Sequence, residues 1–328
     1  MKSLSFGRCA LRICVAAALL AGCGGSQPPI SLPGTALGAS HASWMTPAGV
    51  GRNLLYVSNG ANNIGIVLVY TYPGGKPVGS LASFEGAQGL CADQAGDIFV
   101  PFFGVFGGVY EFAHGGASPI ASLSNEYGYE IGCSVSPTTG KLAVIGGDYA
   151  AYVTIYNYKP RAGGWKTGKS YADAALSHAS FCGYDNQGNL FVDGTTSSGN
   201  FALTELPIGG KAFTTVTLSQ SVKAAGGVQW DGSHMAIGDT GVSPSVIYQF
   251  DVSGSSGTKV GSTRLGGSRT VEQFWIQGGR VVAPDSARSC GQSQKGCIAL
   301  YRYPAGGSPV TTIALTGAFG ATVSLAPK

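Results

Sequence analysis

The stretch Gly89-Leu90-Cys91-Ala92-Asp93, Gln94-Ala95-Gly96, Asp97-Ile98-Phe99-Val100 sets the pattern of the whole chain. A run of strand character meets a turn triplet, and a second apolar run follows at once. The chain continues through Gly108-Val109-Tyr110-Glu111-Phe112, then Gly115-Gly116, then Pro119-Ile120-Ala121-Ser122-Leu123. These are four short β-type runs divided by turn residues. The same order recurs. Second-run anchors stand at Leu55, Ile98, Leu142, Leu190, Met235 and Val281, spaced by 43, 44, 48, 45 and 46 residues. Third runs follow them at Val67-Leu68, Val109-Tyr110, Val153-Thr154-Ile155, Ala202-Leu203, Val246-Ile247-Tyr248 and Ile298-Ala299-Leu300. So regular a period marks a repeat architecture.

One such unit is a four-stranded meander that is apolar on both faces, and alone it cannot bury them. Radial packing of like units covers both faces and leaves only short, protected edges. The six anchors therefore predict an all-β fold, a six-bladed β-propeller over residues 43–328. The last run, Gly320-Ala321-Thr322-Val323-Ser324, reads as a first strand with no second strand after it. It is expected to join the Leu54–Val57 hairpin, so that both termini build one blade. Ser43-Trp44-Met45 is the competing candidate for that closing strand. Composition agrees with this class. Glycine makes up 53 of 328 residues without a three-residue period, which excludes collagen. Hydrophobic residues at 44% exclude a chain too polar to fold.

The run Asp185-Asn186-Gln187-Gly188-Asn189-Leu190-Phe191-Val192, with Asp93–Val100 like it, resembles the blades of NHL-type six-bladed propellers. TolB-like and gluconolactonase-type propellers are neighbours of that group. The resemblance implies the fold over about residues 43–328, and its motifs are general to blades, so it says little about activity.

Residues 1–22 read as a targeting segment. Lys2, Arg8 and Arg12 give a basic start, and the apolar centre Val15-Ala16-Ala17-Ala18-Leu19-Leu20 is too short to span a bilayer. Leu20-Ala21-Gly22-Cys23 resembles a bacterial lipobox. The resemblance implies a signal peptide over 1–22, lipid on Cys23, and an anchor in the cell envelope. Gly24 in place of aspartate implies sorting to the outer membrane. Residues 23–42, rich in Gly, Ser, Pro and Ala, read as a flexible tether. Loss of three basic residues from 20 leaves 17 against 16 acidic, a balance of +1. That rules against nucleic acid as a partner, which needs a basic face. The membrane is expected to be met through lipid alone.

In a propeller, the loops after second strands and before first strands share one end, here the mouth. Asn59, Asp239 and Asp285 stand in matching register after second strands, Asp193 one position earlier, and Asp148 in the corresponding loop. Gln88, Glu130, His178 and Glu272 precede or open first strands. Glu130, His178, Asp193, Asp239 and Glu272 are the candidate ligand-binding set. The gluconolactonase resemblance implies a divalent cation held by a glutamate, asparagines and an aspartate on different blades, for which Asn59, Glu130, Asp193 and Asp239 are the matching types. No complete family motif surrounds any of them, so the activity is not carried over. The bland reading is that the Asp and Asn residues cap hairpin turns. The chain also lacks a Gly-x-Ser-x-Gly elbow, a His-Glu-x-x-His helix and a phosphate-binding loop. Phe102, Phe103, Phe106, Tyr127, Tyr129 and Tyr149 fall on mouth loops, either as an exposed patch or folded down into the channel.

Five cysteines remain after Cys23. Cys290 and Cys297 flank a short loop and are expected to pair in an oxidising compartment. Cys91 and Cys133 have opposite parity on first strands, so they face one another or point apart, whereas Cys133 and Cys182 share a parity that disfavours pairing. The expected role is recognition or scaffolding at the envelope, with a protein, peptide or carbohydrate as partner and no resident cofactor. The alternative is a metal-dependent lactonase of the gluconolactonase kind.

Overall fold

Second strands are apolar throughout, and they become strands packed on both faces. Ile98 and Val100 face one neighbouring sheet, while Phe99 between them faces the other. Leu54 and Tyr56 likewise face one way, and Leu55 and Val57 the other. This is the two-residue alternation of a strand applied to an element with no wet side. Rim strands differ. From Pro309 to Ala314, half-buried and exposed residues alternate, because one face of the rim meets solvent.

The computed structural model describes residues 44–60, 64–103, 107–124, 130–146, 151–157, 168–291 and 295–327. The leader, the tether, Cys23, Phe106, Tyr127, Tyr129, Asp148 and Tyr149 lie outside them. Among the described residues there is no α-helix, and one 3-10 turn, Pro47–Gly49, precedes the strands. In chain order these are β1 (Leu54–Asn59), β2 (Ile64–Thr71), β3 (Pro77–Glu85), β4 (Cys91–Ala92), β5 (Ile98–Phe102), β6 (Gly108–Phe112), β7 (Ala121–Ser124), β8 (Glu130–Val135), β9 (Leu142–Gly146), β10 (Tyr152–Tyr156), β11 (Lys169–Ala172) and β12 (His178–Tyr184). They continue as β13 (Leu190–Thr195), β14 (Phe201–Leu206), β15 (Thr214–Leu218), β16 (Ala225–Trp230), β17 (Met235–Asp239), β18 (Val246–Ser253), β19 (Ser256–Arg264), β20 (Trp275–Gln277), β21 (Arg280–Asp285), β22 (Cys297–Arg302), β23 (Gly306–Ala314) and β24 (Ala318–Ser324). Each anchor residue read from the repeat is the first or second residue of its strand.

Four sheets have four strands: β24-β1-β2-β3, β4 to β7, β8 to β11 and β20 to β23. The fifth has eight, in the order β12-β13-β14-β15-β19-β18-β17-β16. It consists of two meanders joined at their rims by a short parallel pairing, Thr217 with Ser256 and Leu218 with Gly257. Separate four-stranded sheets were the expectation, and the cause of the difference is local. β18 and β19 are eight and nine residues long, so their hairpin overhangs and its tip reaches the free edge of β15. Ser219 Oγ then accepts the Lys259 N–H at 2.8 Å.

The innermost strands β24, β4, β8, β12, β16 and β20 each lie beside the next, and β20 lies beside β24, so they ring a common axis. The arrangement is all-β and propeller-like. Its apolar core is a circle of clusters between adjacent four-stranded meanders rather than one central mass. The ring closes at β24, which pairs antiparallel with β1 from Leu54 with Ser324 to Val57 with Ala321. Trp44 is not in a strand. Its Nε1–H donates to Gly115 O at 3.0 Å, and the Thr46 N–H donates to Val78 O at 2.7 Å.

Innermost strands converge, and glycine makes the convergence possible. A Cβ on Gly183 would sit 2.5 Å from Val228 O of the next innermost strand, and one on Gly320 would strike Gln88 O. Cys91 of β4 and Cys133 of β8 are joined, with an S–S distance of 2.04 Å, so they face one another across neighbouring strands. Cys290 and Cys297 are joined at 1.94 Å, and Cys182 is a buried free thiol.

Candidate functional site on the propeller axis

Ringing the axis with six innermost strands leaves space at both ends. Two cavities occupy it, of about 330 Å³ at the mouth end and about 680 Å³ at the opposite end. Phe181 and Gln273 line both and so form the waist between them. Gln273 is fixed there by its own amide. Its Oε1 accepts the N–H groups of Leu90 at 3.1 Å and Ala321 at 3.0 Å, and its Nε2 donates to Leu90 O at 2.9 Å. One uncharged side chain thus ties the loop into β20 to the loop into β4 and to β24.

The mouth-end cavity is lined by Gln88, Ser180, Thr240, Thr270 and Glu272 among others. Burial pushes the Glu272 carboxyl above the usual carboxylate range. The remaining members of the expected binding set do not join Glu272 in that lining. Glu130 is 1% exposed at the start of β8, near enough to Tyr156 to add, after burial, to the rise of that phenol to about 12. His178 is exposed, with Nδ1 3.1 Å from Ser177 Oγ. Asp193 and Asp239 are buried in the wall. The set is therefore dispersed, because opening a first strand places a residue near the mouth without deciding which way its side chain turns.

The acids after second strands behave as turn caps. Asp239 accepts the N–H groups of Lys223, Ala224 and Gly241 at 3.0 to 3.3 Å. Asp285 accepts those of Arg269, Thr270, Ala287 and Arg288 at 2.7 to 3.1 Å. Each carboxylate thus ties its own turn to the loop entering the first strand of the same sheet. Asp193 is placed differently, inside β13. It accepts the Phe181 N–H at 2.9 Å and the Gly226 N–H at 3.2 Å, bridging β12 to β16. Burial pushes its carboxyl up to about 7, with the two backbone bonds pulling the other way. Asn59 ends β1 in register with Ile66 and Ala318. Among the described residues, no three His, Cys, Asp or Glu side chains come together as a metal-binding group. Of the mouth aromatics within the described residues, Phe102 stacks on Tyr110 at 4.7 Å and 12°, and the Phe103 ring lies over Gly86.

The larger cavity opens among the hairpins that join first to second strands, at the end opposite the mouth. Its lining includes Phe181, Trp230, Phe274, Trp275, Gln229 and Gln277. Asp93 is the one residue of its lining with a formal charge. The Asp93 carboxylate accepts the N–H groups of Ala95 and Asp97, both at 2.9 Å. Burial, and after it the nearby Asp97, raises its pKa. The available signal was the pairing of indole and amide side chains on consecutive innermost strands, Gln229-Trp230 and Trp275 to Gln277. Titratable residues drew attention to the mouth end instead.

No protein-family model matches this sequence, and no curated protein does. Solved structures match by shape. The crystal structure of a nidogen/laminin complex contains a chain with a TM-score of 0.61 and 11% identity, covering 84% of this chain and 99% of that one. A protein of unknown function from Bacteroides caccae gives a TM-score of 0.57 and 14% identity, covering 83% of this chain and 99% of its own. At such identities the likeness is one of fold, and that fold is a β-propeller.

Proposed function

We propose that the chain is a six-bladed β-propeller held at the bacterial cell envelope by lipid on Cys23, and that it serves as a recognition or scaffolding module on its axis. The count of six takes the eight-stranded sheet as two blades joined at the rim, which the short β15–β19 pairing supports. The likeness of Asp93–Val100 and Asp185–Val192 to NHL-type blade turns supports reading it as a neighbour of the NHL-type and TolB-like groups. The observation that carries the functional reading is the axial space. It is built by every innermost strand and open to small or extended partners, while the buried Asp193, Asp239 and Asp285 hold backbone N–H groups rather than facing a common point. A binding module needs a shaped space with a few fixed polar groups, and the axis supplies both.

Three measurements test this. Cys23→Ser is expected to abolish incorporation of labelled palmitate and to shift the protein out of the membrane fraction. Unchanged fractionation and labelling would overturn the anchor. In intact cells, a photo-crosslinker at Gln88 or Gln94 is expected to capture an envelope component, whereas one at exposed Thr312 on the rim is not. Capture at Thr312 alone would move recognition away from the axis. Purified mature protein is expected not to hydrolyse sugar lactones with calcium, manganese or zinc. Metal-dependent turnover that disappears in Glu130→Ala would replace the binding reading with a lactonase.

A further inference from the structure

Resting on that binding reading, we infer that the larger axial cavity is a site for an uncharged saccharide. Its volume of about 680 Å³ falls inside the range of roughly 300–1,000 Å³ usual for small-molecule sites. Its chemistry is polar without charge. Oδ1 of the lone lining carboxylate, Asp93, holds its own turn, and no lysine, arginine or histidine lines the space. An anionic ligand would lose its hydration there and find no counter-charge, which is costly. Phosphorylated compounds, acidic sugars and peptide carboxylates are therefore disfavoured.

What the walls do offer is flat aromatic surface beside amides and hydroxyls. Trp230 and Trp275 are half-buried, and both line the space. Trp275 is held in place, since it packs against the Leu55–Val282–Ile298 cluster on one side and the Cys91–Cys133 cluster on the other. Its Nε1–H is buried and has no hydrogen-bond partner among the described residues, so the indole meets the cavity with its carbon surface. Gln229 is fixed by a reciprocal pair with Ile276, Nε2 to O at 3.1 Å and N to Oε1 at 2.7 Å. Gln94, Gln277 and the Thr139 hydroxyl complete a set that can both donate and accept. A pyranose has this complement: an apolar C–H face for an indole, and a rim of hydroxyls that donate and accept. Fixed aromatic and amide groups also limit the ordering cost of binding.

The test is calorimetric titration of the mature protein with cellotriose, maltotriose and chitotriose at millimolar concentration, with tryptophan emission followed in parallel. At least one neutral trisaccharide is expected to bind and to shift the emission. Trp230→Ala should weaken binding by about tenfold or more, as expected for truncating an aromatic anchor. Trp230→Phe, which keeps a ring should the alanine variant unfold, should weaken it less. Thr312→Ala, on the exposed rim, should leave binding unchanged, and trigalacturonate should bind more weakly than the neutral sugars. If no neutral trisaccharide binds, while a crosslinker at Gln94 still captures a peptide or protein, the ligand class is wrong and the axial binding reading stands. Binding lost in Glu272→Ala, in the other cavity, but kept in Trp230→Ala would place the sugar at the wrong end and overturn the inference.

Discussion

A carboxyl that is 0% exposed and shared between two innermost strands makes Asp193 the residue whose charge state matters most to the ring. Its pKa is raised to about 7 in the folded chain, chiefly by burial, against 3.8 for the ordinary group. Between those values the folded chain holds a proton that the unfolded chain has released, so stability falls as pH rises through that window. Asp93, Glu205 and Glu272 are raised in the same direction, each first by burial, whereas at Asp231 burial is outweighed by hydrogen bonds, led by that from Tyr303, and the carboxyl is lowered. The melting temperature is therefore expected to fall between about pH 4 and pH 7, and Asp193→Asn should flatten that slope. An identical slope in the variant would show that Asp193 stays ionised in the folded protein throughout. At this scale the sequence was partly legible. Asp239 and Asp285 close turns as their residue type suggests. Asp193 stands one register position earlier, inside its strand, but its bridging role was not legible, because burial depends on the neighbouring sheet and not on the residue's own turn.

The strands themselves were legible because apolar runs bounded by turn residues repeat at nearly constant spacing. Their lengths were less so. The run Gly89 to Asp93 becomes a strand only at Cys91–Ala92. The Gly89 N–H goes instead to Ile131 O of the next sheet at 2.9 Å, and the Leu90 N–H to the Gln273 side chain. Long-range partners took the backbone groups that a local reading assigns to a hairpin. β24 makes the clearest prediction among the elements. It supplies the inner partner of β1, and Gly320 N–H donates to Ser58 Oγ at 2.9 Å. Deleting residues 319–328 removes that pairing and exposes Val57, Leu55 and the buried backbone beside them. A large drop in melting temperature is expected, and an unchanged one would mean that some other segment closes the ring.

For the molecule as a whole, closure distributes stability around a circle, so a link between neighbouring innermost strands acts on the whole ring. The Cys91–Cys133 disulfide is such a link, spanning 42 residues of sequence. Loops of that size give about 2–4 kcal/mol of stabilisation, mainly by restricting the unfolded chain. Cys133→Ser should lower the melting temperature accordingly, and reductant should bring the parent protein toward the variant. Equal melting with and without reductant would show that the link contributes nothing. Cys290–Cys297 closes only seven residues and should matter less. The circular plan was legible in the repeat, but the end of the axis with more room was not. That depends on how uncharged side chains of six distant strands meet, and no single stretch contains it. The eight-stranded sheet carries one more consequence, for assembly. An outermost strand ordinarily displays unpaired N–H and C=O groups, an invitation to a foreign β-segment. β15 and β19 answer each other along their arc, whereas β3, β7, β11 and β23 end their sheets. Any strand added from another chain is thereby steered to those four edges and away from the seam, which gives an otherwise repetitive circumference a front and a back.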